Sequence, residues 1–474
     1  MSSADRPAPL WLALHFPRLA LAALGQEEAC AAIRVQGFIW QSGLAAERFG
    51  VQPGLRVSSA LGMAPQLLLH ERQLAREQAL LQQLACWGGQ FTPTLSLAGP
   101  DELLLEIGGC LRLFGGLEAL QARLQTQAEA DCLPVFQSGL APTPLAAQWL
   151  ARAGAPGCTR LAALHEALAP LPLAVLRLSA RELRLCESWG VRSLGELLRL
   201  PVAGLQRRLG DEIPQWLGMA LGDWPDLRPG FSFPERFEQS LPLPAPLDHT
   251  EGLLFAARRL IGALLGWLRQ RLLGVRECRL WLTRERAQAE FISLSFAEPV
   301  HDCARFERVL RERLGRHPLQ APANGLRLEV LRAEALAAHS GELFAAAAPR
   351  ESVGALIERL RARLGEAAVH GLQVCADHRP ERASQAAAQG QGGALPAHSR
   401  PFWLLARPQR LREQQGRPWL DGPLRLESQA ERIESGWWDD EDVRRDYFVA
   451  STADGARLWI YRDAGGWHLH GRFG

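Results

Sequence analysis

The order of apolar and polar positions over the first 150 residues predicts an α+β unit. An apolar run over 10–16 is typical of a buried strand, and residues 71–87 have helical periodicity. Residues 94–107 alternate around the turn Gly99-Pro100-Asp101, which predicts a β-hairpin. The elements predicted after it are a helix over 117–128, a strand over 133–140 and a helix opened by Pro142.

This succession of strand, helix, hairpin, helix and strand is the ferredoxin-like arrangement. An insertion at about 30–70 separates the first strand from the first helix; it contains turn signals at Gly50 and Gly54 and a short strand over 65–69. We therefore expect an α+β domain over 1–165 that contains a small inserted subdomain.

Residues 166–232 are predicted to be all-helical with short loops. Residues 187–191, followed by 193–201, have the form of a helix-hairpin-helix, with Gly190 in the turn between two short helices. Such a turn directs backbone N–H groups at a nucleic-acid phosphate without reading sequence, so Gly190 is a candidate DNA contact. Helix–glycine–helix turns are also common without any such role.

A proline-rich stretch over 241–246 predicts a linker into a domain over 247–335. Between Ala256 and Arg286 there are eight arginines and two glutamates, a local net charge of 8 − 2 = +6. If only the helix carried arginines, a solvent-exposed helix face would explain them. Because both a helix and a strand carry them, we favour contact with phosphates. The candidates are Arg258, Arg259, Arg269 and Arg271 on a helix over 251–273, and Arg276, Arg279 and Arg284 on a strand over 276–284.

The C-terminal third changes composition twice. Residues 336–400 are predicted to be an extension that ends in a flexible linker, because 371–399 is rich in Ala, Gln, Gly and Ser. Residues 401–474 hold six of the fifteen tryptophans and both tyrosines and are predicted to be a small β-rich module. Most of these aromatics are expected in its core; the candidates for a partner-binding surface are Phe402, Trp403, Trp437 and Trp438.

Composition narrows the possible chemistry. The 474 residues suggest about three domains. The chain contains no lysine, which excludes a P-loop ATPase and Schiff-base chemistry. Its nine cysteines form no CxxC pair, so a zinc ribbon is excluded. There is no long charge-free apolar run and no signal-peptide pattern, and we expect a cytoplasmic protein that does not contact membranes.

Several segments resemble Y-family translesion DNA polymerases, in particular residues 44–54, 100–106 and 139–146. Residues 376–381 and 432–448 resemble one UmuC-like branch of that family, the polymerase-like subunits of bacterial damage-induced mutagenesis cassettes. The resemblance implies a ferredoxin-like palm with fingers over 1–165, a helix-hairpin-helix thumb over 166–232, a little-finger-like domain over 247–335 and a partner-binding module over 401–474.

The expected metal site departs from that family. The family places one Asp on the first strand and an Asp-Glu pair on the hairpin, which together hold two metal ions. The hairpin pair is present as Asp101 and Glu102, but the first strand offers only Ala13, Leu14, His15 and Phe16. We expect no catalytic residues, no bound metal and no other cofactor; Asp101 and Glu102 are then vestigial turn residues, and His15 is a core histidine.

The triphosphate contacts implied by the resemblance are also replaced. Leu44, Glu47 and Pro144 align with a Tyr, an Arg and a Lys of the family. A carboxylate at Glu47 would repel a triphosphate. A one-residue shift of the alignment would give the arginine role to Arg48.

Three functions are therefore open. The first is a non-catalytic scaffold that binds damaged or primer–template DNA and assembles a translesion complex; the resemblance implies a sliding clamp, an error-prone replicative-type polymerase and a RecA-like accessory protein as partners. The second is an active Y-family DNA polymerase that uses Mg²⁺ with altered ligands. The third is a general nucleic-acid-binding module. Neither possible clamp-binding peptide is complete, since 239–244 lacks the aromatic residue and 400–405 lacks the glutamine.

Overall fold

The computed structural model describes residues 9–284, 290–316, 319, 321–336, 353–365, 368–387, 400–439 and 441–473. The chain forms two compact units, 1–363 and 364–474. Within the described ranges, every helix is too short or too polar to cross a bilayer. The predicted α+β multidomain architecture is confirmed.

The N-terminal domain is a ferredoxin-like sheet with an inserted subdomain. Its elements are β1 (Trp11–His15), α1 (Leu19–Ala22), β2 (Ala31–Val35), β3 (Phe38–Ser42), α2 (Leu44–Arg48), α3 (Val57–Met63), β4 (Leu68–Glu71), α4 (Leu74–Gly88), β5 (Leu95–Ala98), β6 (Glu102–Glu106), α5 (Leu111–Phe114), α6 (Leu117–Ala130), β7 (Gln137–Ala141) and α7 (Pro144–Ala153). The main sheet has the antiparallel order β5-β6-β1-β7, and the insertion forms a second sheet, β3-β2-β4.

Burial on both faces of the main sheet explains its apolar strands. On one face Leu103 and Leu105 pack in the same core as Leu84 of α4 and Leu120 of α6. On the other face Leu104 shares a core with α7 and the helices that follow. The strand expected over 65–69 begins only at Leu68. The helix expected at Pro142 begins at Pro144, because β7 continues to Ala141 and Thr143 is still extended as the N-cap.

The helical domain confirms the predicted hairpin of helices. Its helices are α8 (Leu164–Leu168), α9 (Ala180–Ser188), α10 (Leu194–Leu198), α11 (Val202–Leu209) and α12 (Glu212–Leu221). Capping boxes begin α9 at Ser179 and α10 at Ser193. Between them Gly190 has φ = +76°, the left-handed conformation in which glycine is favoured.

The next domain is a four-stranded sheet covered by two helices. Its elements are β8 (Glu238–Leu247), α13 (Thr250–Arg271), β9 (Leu273–Thr283), β10 (Glu290–Val300), α14 (Cys303–Arg316) and β11 (Ala323–Ala335). Helix α15 (Val353–Leu364) follows this domain. The sheet order is β10-β9-β11-β8. Helix α13 packs closely on α4 of the palm, where a side chain at Gly266 would overlap the carbonyl oxygen of Cys86.

The predicted linker at 241–246 is wrong, because these residues lie in strand β8. Strand β8 is an edge strand paired with β11. Pro242, Pro244 and Pro246 occupy every second position. Alternate N–H groups of an edge strand point away from the sheet, so prolines at this spacing remove no hydrogen bond that the sheet needs.

The second unit is β-rich, as predicted. Its strands are β12 (Gly371–Val374), β13 (Ser384–Ala387), β14 (Trp403–Arg410), β15 (Arg412–Gln414), β16 (Arg417–Trp419), β17 (Arg425–Leu426), β18 (Glu431–Ser435), β19 (Val443–Ser451), β20 (Arg457–Asp463) and β21 (Gly466–Arg472). The main sheet has the order β14-β21-β20-β19-β17, with β18 also paired to β19. The linker expected over 371–399 is wrong for the part that includes β12 and β13, since these strands pair; residues 388–399 lie outside the described ranges.

Candidate functional site

The ends of strands β1 and β6 bring three possible ligands together. His15 and Glu102 are directly paired in the sheet, and Asp101 is in the turn before β6. One ligand atom each from His15, Asp101 and Glu102 lie within 4.8 Å of one another. Across the described ranges this is the single group of three or more such side chains that could hold a metal ion.

Arginines from two other elements neutralise the two carboxylates. Nη2 of Arg177, which follows a short 3₁₀ turn in the thumb, donates to Oδ1 and Oδ2 of Asp101 at 2.7 and 2.9 Å and to Oε1 of Glu102 at 3.3 Å. Arg152 of α7 donates Nε to Oε1 and Nη2 to Oε2 of Glu102, the latter at 2.9 Å. Gln148, one turn earlier on α7, also donates to Glu102.

This donor set does not fit the paired Mg²⁺ ions that a nucleotidyl transfer needs. Mg²⁺ demands several oxygen ligands in octahedral geometry. Both oxygens of Glu102, which is fully buried, already accept charged or amide hydrogen bonds, and the third group is an imidazole. No further carboxylate joins the group within the described ranges. We therefore derive no step through a metal at this site.

The hydrogen bonds also fix the charge state of Asp101. Burial opposes ionisation, but the hydrogen bond from His15 and the guanidinium of Arg177 together hold the pKa of Asp101 below its usual range. Nε2 of His15 lies 3.6 Å from Oδ2 of Asp101, and its Nδ1 lies 3.4 Å from Oε1 of Gln137.

Two expectations about this cluster need correction. Asp101 and Glu102 were expected to be vestigial turn residues, but Glu102 is a buried strand residue at the centre of an ion-paired cluster. His15 was expected in the core; it borders that same cluster and is half-buried. Sequence reasoning missed Arg152, Arg177 and Gln148, because no local pattern marks them as partners of residues 46 to 76 positions away.

The position aligned with a triphosphate-binding arginine is also occupied by an internal ion pair. Glu47 on α2 accepts two hydrogen bonds from Nη2 of Arg18 at 2.8 and 2.7 Å, and Ser42 donates to it at 3.2 Å. Arg48, the alternative from a shifted alignment, is exposed on the same helix, and Pro144 is the first residue of α7. Glu47 therefore has a counter-charge within the protein.

Most arginines proposed as DNA contacts form bonds inside the protein. On α13, Arg258 pairs with Glu307 at 3.0 Å, and the other three donate to backbone carbonyls. Those acceptors are Cys132 for Arg259, Gln90 for Arg269 and Phe233 for Arg271. Phosphate contact by these four residues stays a prediction, and these contacts do not support it.

The strand arginines differ among themselves. Arg276 pairs with Glu334 at 2.9 Å and Arg284 with Glu290 at 2.5 Å. Arg279 lies on the sheet face opposite the helices, with its guanidinium 4.8 Å from the ring centre of Phe291. Sequence reasoning missed the other side chains of this face, Trp281, Phe291 and Arg327, where alternation with buried residues was the available signal.

The hairpin turn of the thumb differs from the expectation at Gly190. The N–H of Gly190 donates to Glu187, that of Val191 to Cys186, and those of Arg192 and Ser193 to the carboxylate of Glu196. Gly190 thus lacks the free donor on which its proposed phosphate contact was based.

Exposed arginines surround this turn instead. Arg208 of α11 lies 5.2 Å from the ring centre of Trp189, and Arg192 follows the turn itself. Apart from Arg177, the exposed thumb arginines form no direct ion pair among the described residues, although Glu182 interacts electrostatically with one of them and Glu196 with two. These arginines are Arg181, Arg184, Arg192, Arg199, Arg207 and Arg208. Their count was visible in the sequence, but their lack of direct ion pairs was not.

The four partner-binding candidates are all solvent-exposed. Phe402 and Trp403 are 80% and 66% exposed, and Trp437 and Trp438 are 78% and 58% exposed. Trp459 and Trp467, in contrast, are buried in the core of the second unit. The expectation that most aromatics lie in the core therefore holds for these two tryptophans and both tyrosines but not for the four candidates.

One of the two possible clamp-binding peptides is built into a sheet. Residues 239–242 pair with β11, so this segment is not a free peptide. The other, at 400–405, includes the exposed Phe402 and Trp403, and Trp403 begins edge strand β14. Its backbone is paired on one side only.

Comparison with known proteins agrees with the arrangement of the palm. Residues 19–152 match the model of the impB/mucB/samB family. The chain is also similar to Protein ImuB of Caulobacter vibrioides, with 28% identity over 477 residues that cover 90% of this chain and all of that protein. The expected resemblance to a UmuC-like, polymerase-related protein is confirmed.

The chain is also similar, over a shorter length, to a protein named as a DNA polymerase. DNA polymerase IV of Dehalococcoides mccartyi is 28% identical over 193 residues, which cover 40% of this chain and 49% of that protein. Among solved structures, DinB from Sulfolobus solfataricus and a Y-family DNA polymerase chimera align over 68% of this chain with TM-scores of 0.38 and identities of 16% and 15%; each alignment covers 98% of the solved chain.

Proposed function

We propose that this protein is a non-catalytic, polymerase-like scaffold that binds DNA and assembles an error-prone translesion complex in damage-induced mutagenesis and DNA repair. The observation that carries the proposal is the pairing of Asp101 and Glu102 with Arg177 and Arg152. A catalytic carboxylate pair has its oxygens free for metal ions, whereas this pair already has two guanidinium counter-charges.

Primer extension tests the absence of catalysis. Purified protein is incubated with primer–template DNA and the four deoxynucleotides, with Mg²⁺ or Mn²⁺, beside an active Y-family polymerase. We expect no template-dependent incorporation. Incorporation that disappears in Asp101→Asn would overturn the proposal and establish an active polymerase with altered ligands, the alternative that the His15, Asp101 and Glu102 group favours.

The thumb is the surface with the best support for DNA contact. Arg192 and Arg208 flank the helix-hairpin-helix turn and are exposed, and their guanidinium groups form no direct ion pair among the described residues, although Glu196 interacts electrostatically with Arg192. Unpaired guanidinium groups attract phosphates without desolvating an ion pair first. Arg279 on the open sheet face is a second candidate contact, because its guanidinium lies over the exposed ring of Phe291, whereas Arg327 on the same face pairs with Glu238 at 2.6 Å.

Charge reversal tests whether these arginines contact DNA directly or only add to the overall positive charge of the protein. The double variant Arg192→Glu/Arg208→Glu should weaken DNA binding whatever the sequence and reduce the slope of log affinity against log salt by about 2. Arg123→Glu is a matched control, since Arg123 is exposed, stacks on Phe114 and lies on α6 at the opposite face of the palm sheet. Equal losses in the double variant and the control would contradict the assignment.

The exposed tryptophans of the second unit support a protein partner. Trp437 and Trp438 meet edge to face with ring centres 5.5 Å apart, and the buried Arg379 lies 5.7 Å from the ring centre of Trp438. Arg379 donates to both oxygens of Asp439, which fixes the loop that carries the two rings. The acidic run beside them is largely paired with arginines, as for Asp439 and Glu441 with Arg382, so we assign the surface to a protein on the ground of its two exposed tryptophan rings.

The proposed partners are the sliding clamp, an error-prone replicative-type polymerase and a RecA-like accessory protein. Trp437→Ala/Trp438→Ala should weaken the complex with the partner that uses this surface by about 30-fold or more, as expected for exposed tryptophan anchors. Leu426→Ala, an exposed apolar position of the same unit, is the control. Unchanged binding of all three purified partners would contradict the surface and favour a general nucleic-acid-binding module.

A further inference from the structure

The cluster at the palm has a second consequence, which goes beyond the proposed function. We propose that Arg177 and Arg152 are built-in counter-ions for Asp101 and Glu102, so that this carboxylate pair anchors the thumb segment 173–177 to the palm. The anchor requires no metal and does not depend on DNA or on a partner protein.

Both arginines connect the carboxylates to the same thumb segment. Arg177 is part of that segment and reaches across to Asp101 and Glu102. Arg152 belongs to the palm helix α7; it binds Glu102 and also donates Nη1 to the carbonyl oxygen of Val175 at 2.5 Å. The segment is therefore held from both sides, by its own cation and by a cation of the palm.

The local backbone is arranged to bring the guanidinium of Arg177 to this carboxylate pair. Arg177 has φ = +54°, a left-handed conformation that non-glycine residues rarely adopt unless tertiary contacts hold them there. On the palm side Gly99 has φ = +60°, and a Cβ there would lie 3.4 Å from Nη1 of Arg177. The N–H of Phe16 donates to the carbonyl of Asp101 at 2.9 Å and fixes the turn to the end of β1.

Charge balance explains why the anchor should be strong. Two guanidinium groups face two carboxylates, one of which is fully buried. Removal of Arg177 leaves the mostly buried carboxylate of Asp101 without its guanidinium partner, which is more costly than removal of one partner of an exposed pair. A small divalent cation is the other species that could restore neutrality there, because Asp101, Glu102 and His15 already converge.

Thermal unfolding with Mn²⁺ as the probe tests the anchor. In full-length wild-type protein, about 1 mM Mn²⁺ should not change the Tm of the first unit. Arg177→Ala should lower that Tm by about 5 °C in EDTA, and Mn²⁺ should restore at least half of the loss. Adding Asp101→Asn to this variant should abolish the rescue. Arg177→Gln, which keeps hydrogen bonding but not charge, should respond to Mn²⁺ in the same way and serves if the alanine variant does not fold.

Arg258→Ala is the control for general loss of an ion pair, since Arg258 pairs with Glu307 elsewhere in the first unit. Its Tm should not respond to Mn²⁺. Three results would overturn the proposal: a Tm rise of the wild type in Mn²⁺ that Asp101→Asn removes, no loss of Tm in either Arg177 variant, or a loss that Mn²⁺ does not reverse. All of these readouts are independent of primer extension, so failure of the anchor and failure of the scaffold function are separable.

Discussion

Replacement of Glu27 by glutamine should stabilise the first unit at alkaline pH and have no effect at acidic pH. Glu27 follows α1 and accepts a hydrogen bond from the N–H of Val135 at 3.1 Å. Burial raises its pKa from 4.5 to about 7, although the nearby guanidinium groups of Arg259 and Arg18 act in the opposite direction. The folded protein therefore holds the proton of Glu27 more tightly than the unfolded chain does.

The sign and size of the effect follow from this difference. Below about pH 4.5 the carboxyl is protonated in both states, and above pH 7 it is ionised in both, at a cost to the folded state. A difference of 7 − 4.5 = 2.5 pKa units corresponds to about 3 kcal/mol at about 1.36 kcal/mol per unit. Because the side chain is only half-buried, we expect the effect on the free energy of unfolding to be about 1–3 kcal/mol. The wild type gains this stability progressively as the pH falls from 7 towards 4.5.

Pulsed thiol labelling in urea provides an assay specific to the first unit, because Cys86 is buried there. Glu27→Gln should raise the unfolding free energy at pH 8 by that amount and leave it unchanged at pH 4.5, since glutamine still offers an oxygen to Val135. Glu28→Gln, at the exposed neighbouring position, is the control. Destabilisation by Glu27→Gln at pH 8 would refute the argument and show that pairing with Arg259 outweighs burial.

Three further predictions concern other buried groups. Burial lowers the pKa of His470 to about 4, so the second unit should lose up to about 3 kcal/mol as the pH falls from about 6.5 to 4, and His470→Gln should flatten that dependence in urea titrations. Burial raises the pKa of Cys86 and of Cys303 to about 12, so neither thiol should react with iodoacetamide at pH 8 in native protein; rapid labelling seen by mass spectrometry would contradict this. Trp437→Ala should change the unfolding free energy by less than about 0.5 kcal/mol, whereas Trp459→Ala, in the core, should cost about 3–5 kcal/mol.

The arrangement of the palm could be predicted because its signals are local. The alternation over 94–107 and the turn at Gly99 determine a hairpin without reference to the rest of the chain. The wrong prediction of a linker at 241–246 has the same origin, because it too was based on local sequence alone. Three prolines at a spacing of two are compatible with a linker and with an edge strand, and only the pairing with β11 separates the two.

The candidate site could be predicted only in part. The missing acidic residue on β1 was visible in the sequence, because one strand position decides it. The arginines that compensate for it were not, since Arg177 reaches Asp101 across 76 positions from a backbone conformation that no arginine pattern indicates. Sequence reasoning identified the missing acidic residue but not the two guanidinium groups that pair with Asp101 and Glu102.

The same reasoning explains why the net charge of the arginine-rich segment overstates its attraction for phosphate. A segment's net charge counts every arginine equally, but a phosphate is attracted only by cations whose charge is not already balanced nearby. Arg258, Arg276 and Arg284 each have a glutamate partner, so half of the local +6 is compensated once the chain folds, since 6 − 3 = 3. The thumb has fewer arginines per residue, yet some of its exposed ones, such as Arg192 and Arg208, form no direct ion pair among the described residues. An uncompensated pair of this kind should contribute more to the salt dependence of DNA binding than the larger set on α13 and β9.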